Sequence, residues 1–206
     1  MCENVKIYAG IGNRNAPEHV LMTCKDVSIA LSLLGYTCRS GGAIGCDRAF
    51  SSGSNSNEIF LPNSEIPDIA FTIASRYHQH WFSLKPFTKR LMARNALIIL
   101  GKDLKTPVDF VVCYTHDGCE TYDEYLNGKI SGTGLAIAIA DSYEIPVINI
   151  ANSNWVEKLE GVLKMSNDVI LKPIEEIDGP VLDEILDLIE NIPTNQNQSC
   201  DSNLQN

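Results

Sequence analysis

The run VDFVVCYT (108–115) sets the tightest limit on the fold. It is apolar and rich in β-branched residues, with no alternation, so it reads as a strand covered on both faces. Strands of that kind belong to parallel sheets flanked by helices. Parallel neighbours need a crossover between them, so helices must alternate with strands along the chain. The remaining sequence supplies that alternation. VKIYA (5–9) reads as a first strand ending in the glycine turn GIGNRNAP. Pro17 then opens an amphipathic helix whose apolar residues Val20, Leu21, Cys24, Val27, Ala30, Leu31 and Leu34 recur at three- and four-residue spacing, and Gly35 closes it. YTCR (36–39), EIFLP (58–62) and IPVINI (145–150) read as further strands. AIGCDRAFSSG, 67–80, 86–101 and LAIAIADSY read as helical. The expectation is an α/β chain: a Rossmann-like, doubly wound, mostly parallel sheet of five or slightly more strands with helices on both faces.

With 206 residues the chain suits one core. We expect one Rossmann-like domain over 1–165, followed by an acidic amphipathic segment over 166–192 and a polar, disordered tail over 193–206. The stripe Val181, Leu182, Ile185, Leu186 and Ile189 must be covered by this domain or by a second copy, so the reading favours a homodimer or higher oligomer. The seven cysteines are scattered and form no CxxC pair, which suggests free thiols in a reducing compartment. No secretory signal is visible and no run of about 18 apolar residues occurs. The expected location is therefore the cytoplasm, with no membrane partner.

The net charge is −10, and residues from Asn167 onward carry nine acids and one lysine of it. That balance disfavours a protein that works by neutralising nucleic-acid phosphates, although a local basic groove stays possible. KPFTKRLMAR, with Lys85, Lys89, Arg90 and Arg94, is the best candidate for such a groove. Such a helix is more often a solvated face, or a partner for the acidic C-terminal helix, than a DNA track. His78 and His80 lie two apart on a helical segment without a nearby acid or cysteine, so no metal site is expected.

In an open parallel sheet, ligands bind beyond the carboxyl ends of the strands, where strand order reverses. The residues just after each strand are therefore the candidates. They are Gly10, Gly12, Asn13 and Arg14; Ser40, Gly41 and Gly42; Thr115 and Asp117; and Ser131, Gly132, Thr133 and Gly134. Small residues ahead of a helix let main-chain amides approach an anion, and arginine adds a planar fork. GIGNRN lacks the third glycine of a dinucleotide fingerprint, and no P-loop pattern occurs. Hydride transfer and P-loop hydrolysis are thereby disfavoured, and no cofactor is expected.

Taken in order, YAGIGNRNAP, RSGGAIGCDRAF, EIFLP, ARNALII and SGTGLAIAIA resemble the SLOG superfamily of Rossmann-like nucleotide-binding proteins, and within it phage-type proteins similar to DprA. The resemblance covers roughly residues 5 to 150. It implies a pocket for a nucleotide or its phosphates, and it adds Asp47, Arg94 and Asn95 to the candidates. The phosphoribohydrolases of that superfamily carry a PGGxGTxxE turn with a catalytic glutamate. Here Ala136 stands where that acid would be, so the resemblance leaves no catalytic residue to assign and leans away from an enzyme. It implies non-catalytic binding of a nucleotide-derived small molecule, such as a cyclic ADP-ribose-type or cyclic nucleotide immune signal, sequestered in a phage anti-defence role. The alternatives are an N-glycosidic hydrolase acting on nucleotides and a DprA-like single-stranded-DNA protein.

Overall fold

The computed structural model describes residues 5–168 and Asn191. Within them, strands β1 (Ile7–Gly12), β2 (Thr37–Ser40), β3 (Asn57–Ile59), β4 (Phe110–Tyr114) and β5 (Val147–Asn149) form one sheet in the order β3-β2-β1-β4-β5. Every pairing is parallel. The crossovers carry α1 (Glu18–Leu33), α2 (Cys46–Gly53), α3 (Asp68–Tyr77), α4 (Pro86–Leu100), α5 (Tyr122–Asn127) and α6 (Gly132–Ser142), and α7 (Trp155–Asp168) follows β5. This is the Rossmann-like α/β architecture expected from the alternation. No helix among the described residues is long and apolar enough to cross a membrane. The acidic stripe at 181–192 and the tail at 193–206 lie outside the described residues, apart from Asn191.

The strand period of two divides the core between the faces of the sheet. Ile7, Ala9 and Ile11 of β1, with Val111 and Cys113 of β4, pack against α3, α4 and α6. Tyr8 of β1, with Phe110, Val112 and Tyr114 of β4, packs against α1, α2 and α7. Tyr8 and Phe110 stack with ring centroids 6.0 Å apart. Residues Ala93 to Leu100 are all buried, so the second half of α4 is enclosed on every side. The small side chains of α6 let it lie close beside α4, and Gly134 to Ala140 are likewise buried.

The same alternation explains the first glycine cluster. Gly10 and Gly12 lie on the face of Tyr8, where α2 presses on the strand end. A Cβ on Gly10 would stand 2.6 Å from Phe50 Cβ, and one on Gly12 would stand 2.7 Å from Cys46 Cβ. Real side chains do not approach that closely, so these positions are glycine because a helix crosses a strand there. The expectation of a glycine turn after residue 9 is therefore corrected: the strand runs on through Gly12, and the loop begins at Asn13. Smaller differences follow the same logic of edges and caps. β3 is an edge strand of three residues, shorter than 58–62. The helical stretch 67–80 ends at Tyr77 and gives way to a short turn of 3₁₀-helix at Trp81–Ser83.

Candidate functional site

β1 has β2 on one side and β4 on the other. The chain winds from β1 outward to β3, then returns to lay β4 and β5 on the opposite side. Loops after β1 and β4 consequently diverge, which opens a crevice at the carboxyl edge. The Asn13 amide donates to the Tyr114 carbonyl at 3.0 Å and fixes the floor between them. Above it lie two adjoining cavities. The inner one, 250 Å³, is walled by Gly12 at the end of β1, by Asn13 and Arg14 after it, by Ala43 and Asp47 at α2, by Arg94, Asn95 and Ile98 of α4, and by Ser131 with Gly132, Thr133 and Ala136 of α6. The outer one, 430 Å³, shares Asn13, Arg14 and Ser131 and adds Asn15, Thr115, His116, Asp117 and Lys129.

Asp47 and Arg94 are the buried charges of the inner cavity, 5% and 7% exposed. The Asp47 carboxylate accepts from the Gly12 amide at 3.1 Å and the Ala43 amide at 3.3 Å. It thus joins the end of β1 to the loop after β2 and takes up amides that could otherwise face an anion. Burial pushes its pKa above the ordinary carboxylate value; the nearby Arg94 charge and the two amides oppose that rise. Arg94 is treated reciprocally: burial lowers its pKa and the Asp47 charge raises it. The two are not in ion-pair contact, since the ion pairs among the described residues lie elsewhere. Arg94 Nη1 instead donates to the carbonyls of Gly41 and, at 3.0 Å, Phe60. Its Nε is buried without an acceptor, and Nη2 makes no hydrogen bond among the described residues. A guanidinium so placed has unused donors in a low-dielectric wall, which is costly unless something accepts them.

The amino end of α6 faces the same space. Ser131 caps it by accepting from the Gly134 amide at 2.9 Å, and Asn95 Nδ2 donates to the Gly132 carbonyl at 2.9 Å. That leaves the amides of Gly132 and Thr133, the first two of the helix, without an intrahelical acceptor, at the positive end of the helix dipole.

The expected site residues therefore separate. Gly12, Asn13, Arg14, Asp47, Arg94 and Asn95 converge on the inner cavity with Ser131, Gly132 and Thr133, while Thr115 and Asp117 border the outer one. Gly10, Ser40, Gly41, Gly42 and Gly134 line neither. Ser40 Oγ donates to the Gly10 carbonyl at 2.7 Å and ties β2 to β1. Gly41 lies directly under the Arg94 guanidinium, Gly42 takes a φ of 65° against Ile59, and Gly134 clears the ring of Tyr125 by lacking a Cβ. The amides of the glycine bends thus contribute less than the side chains they admit.

Three structural contributors had no sequence expectation. Gly45, at φ 87°, lets α2 start against the Asn13 and Arg14 carbonyls, each 2.5 Å from where its Cβ would be. Asn149, fully buried, donates to Thr115 Oγ1 at 2.7 Å and to the Cys119 carbonyl at 2.9 Å, and accepts from the Thr115 amide at 3.3 Å. Lys129 reaches the outer cavity from the loop before α6. Only a fold-level view reveals these roles, since nothing local marks them. The candidate basic groove is partly committed. Arg90 donates to the Pro62 and Ser64 carbonyls, both at 2.7 Å, and Lys89 sits 5.6 Å from the centre of the Trp81 ring. His78 Nδ1 accepts from the His80 amide at 3.2 Å, with its ring edge-on to Trp81.

Comparison with protein-family models, with curated proteins and with solved structures returns no match to this chain. The site has to be read from its own chemistry. It offers a buried guanidinium with free donors, open helix amides, and a carboxylate fixed by two main-chain amides.

Proposed function

We propose that the chain binds a nucleotide-derived small molecule, holding a phosphate between Arg94 and the amino end of α6 and releasing it unaltered. The observation that carries this reading is Arg94: a largely buried guanidinium on the cavity wall beside open helix amides, whose Nη2 makes no hydrogen bond among the described residues. A phosphate oxygen supplies the missing acceptor and meets the helix dipole at its favourable end. The apolar wall of Leu91, Met92, Ile98 and Ala136 suits the uncharged part of such a ligand. With Ala136 on the wall and both Asp47 oxygens engaged, the reading is a non-catalytic, sequestering protein. The resemblance to SLOG proteins supports a nucleotide signal as the guest, and the anti-defence role and self-association belong to the same proposal.

The test is to denature the purified protein, analyse the released small molecules by mass spectrometry, and titrate a nucleotide panel by calorimetry. Recovery of an intact nucleotide, with affinity falling about tenfold or more in Arg94→Met, is expected from the loss of a charge-assisted contact. No binding by any member of the panel overturns it.

Hydrolysis of an N-glycosidic bond is a second reading with one observation behind it. Asp47 is a buried carboxyl at the cavity with a raised pKa, as a general acid needs. It requires release of free base from a nucleotide and loss of that release in Asp47→Asn. The commitment of Arg90 and Lys89 weighs against a DNA track, and salt-insensitive failure to retain oligonucleotides is the expected result.

A further inference from the structure

We propose that the acidic stripe of residues 181–192 seats on a second copy of this chain, in an aromatic hollow between the end of α3 and the start of α4. This names the surface for the self-association proposed above, on which it rests, and it does not depend on what the crevice binds.

The hollow measures 270 Å³ and is walled by Tyr77, Trp81, Phe82 and Tyr122, with Arg76 at its side and no acid among its described lining residues. Tyr77 and Tyr122 meet edge to face at 5.5 Å, and Trp81 is buried, so three of the four rings are held in place. Phe82 is held by little: it is 96% exposed, and Phe87, in the first turn of α4, is 60% exposed. Two phenyl rings left in water beside a walled hollow form a surface suited to an apolar segment from elsewhere.

Charge selects the segment. Between Asp68 and Asp103 the sequence contains no acid, yet it carries Arg76, Lys85, Lys89, Arg90, Arg94 and Lys102. Arg90 and Arg94 are engaged by main-chain carbonyls. Arg76 lines the hollow, Lys85 stands between Phe82 and Phe87 in the chain, and Lys89 lies 5.6 Å from the centre of the Trp81 ring. None of these three belongs to an ion pair among the described residues. Their complement is the stretch from Asn167 onward, with nine acids and one lysine. Within it Val181, Leu182, Ile185, Leu186 and Ile189 supply the apolar stripe, and Asp183, Glu184, Asp187 and Glu190 interleave with it. An apolar stripe set among acids fits an aromatic hollow set among cations.

Reach selects the copy. α7 packs on the face of α1 and α2, whereas α3 and α4 cover the opposite face of the sheet. Residues 169–180 join α7 to the stripe and include Pro173 and Pro180. Those twelve residues extend to about 40 Å at most. Within one chain they would have to round a helix–sheet–helix sandwich about 30 Å deep, with little slack. Between two copies the connection runs directly. Exchange is then reciprocal, each copy filling the other's hollow, which closes a twofold dimer.

The experiment treats the full chain with a zero-length carbodiimide, which joins a lysine amine to a carboxylate it touches. Monomer and dimer bands are separated and digested for mass spectrometry. Lys85 or Lys89 joined to Asp183, Glu184, Asp187 or Glu190 is expected in the dimer band and not in the monomer band. Phe82 is exposed, so Phe82→Ser should fold; its dimer dissociation constant, read by sedimentation, should rise about tenfold or more on loss of an aromatic anchor. The same pairs in the monomer band assign the chain's own segment and overturn the exchange. A dimer that lacks these pairs, or that Phe82→Ser leaves unaltered, overturns this surface and leaves self-association standing. A monomer at every concentration overturns both.

Discussion

Gly12 shows how one missing side chain decides a local structure. A Cβ there would stand 2.9 Å from both Cys46 Sγ and the Tyr114 carbonyl. Gly12→Ala is therefore expected to destabilise the protein by about 1–3 kcal/mol through overpacking, measured by chemical denaturation. Gly45→Ala should cost at least as much, because it adds the strain of a left-handed φ to a clash with two carbonyls. That glycines cluster at the strand ends was legible in the sequence; why they do so was not. Glycine before a helix can mean an anion cradle or a close crossing, and only the positions of Phe50, Cys46 and Tyr125 tell the two apart. Asp47 carries a prediction of its own. Its pKa is raised in the folded protein, so between the unfolded and folded values the native state binds more protons than the unfolded chain. The stability of the wild type relative to Asp47→Asn should thus fall as pH rises through the raised pKa and level off above it. Melting temperatures of both proteins from about pH 4 to 7 check the sign, since the ordinary value for aspartate is about 3.9. A difference that grows with pH would contradict the burial of that carboxyl.

Among the elements, the helices that escaped sequence reading had left signals. Thr121-Tyr-Asp-Glu124 is a capping box: Thr121 Oγ1 accepts from the Glu124 amide at 3.2 Å, and Glu124 Oε2 accepts from the Thr121 amide at 3.1 Å. Thr121→Ala should lower stability by about 1 kcal/mol, read from the denaturation midpoint. Trp155, Leu159 and Leu163 recur at four-residue spacing and bury the inner face of α7. Helices α1, α3, α4 and α6 were legible because their patterns repeat over two turns or more, and the doubly covered β4 because its apolar run is unbroken. A six-residue helix holds too few periods to stand out, and the end of β1 was hidden by glycines that resemble a turn.

At the scale of the molecule, the sheet separates two cores, and β1 and β4 at its centre are covered on both sides. Hydrogen exchange should be slowest in β1, β4 and the buried halves of α4 and α6, and fastest at β3, whose Asn57 and Ile59 are exposed. Fast exchange in β4 would contradict that layering. The α/β class and the parallel sheet were legible from alternation alone. Which strands sit at the centre depends on crossovers that no local pattern encodes, and it is this order that brings the loops after β1 and β4 to one crevice.

Arg94 reaches from α4 to the carbonyl of Gly41, just past β2, and to that of Phe60, just past β3. Its guanidinium is at once a wall of the cleft and the peg on which the sheet's margin hangs. A guest that draws this group toward itself slackens the peg. Occupancy is then readable at a distance, as quicker solvent exchange of the Phe60 amide, which bonds the Ser40 carbonyl at 2.9 Å.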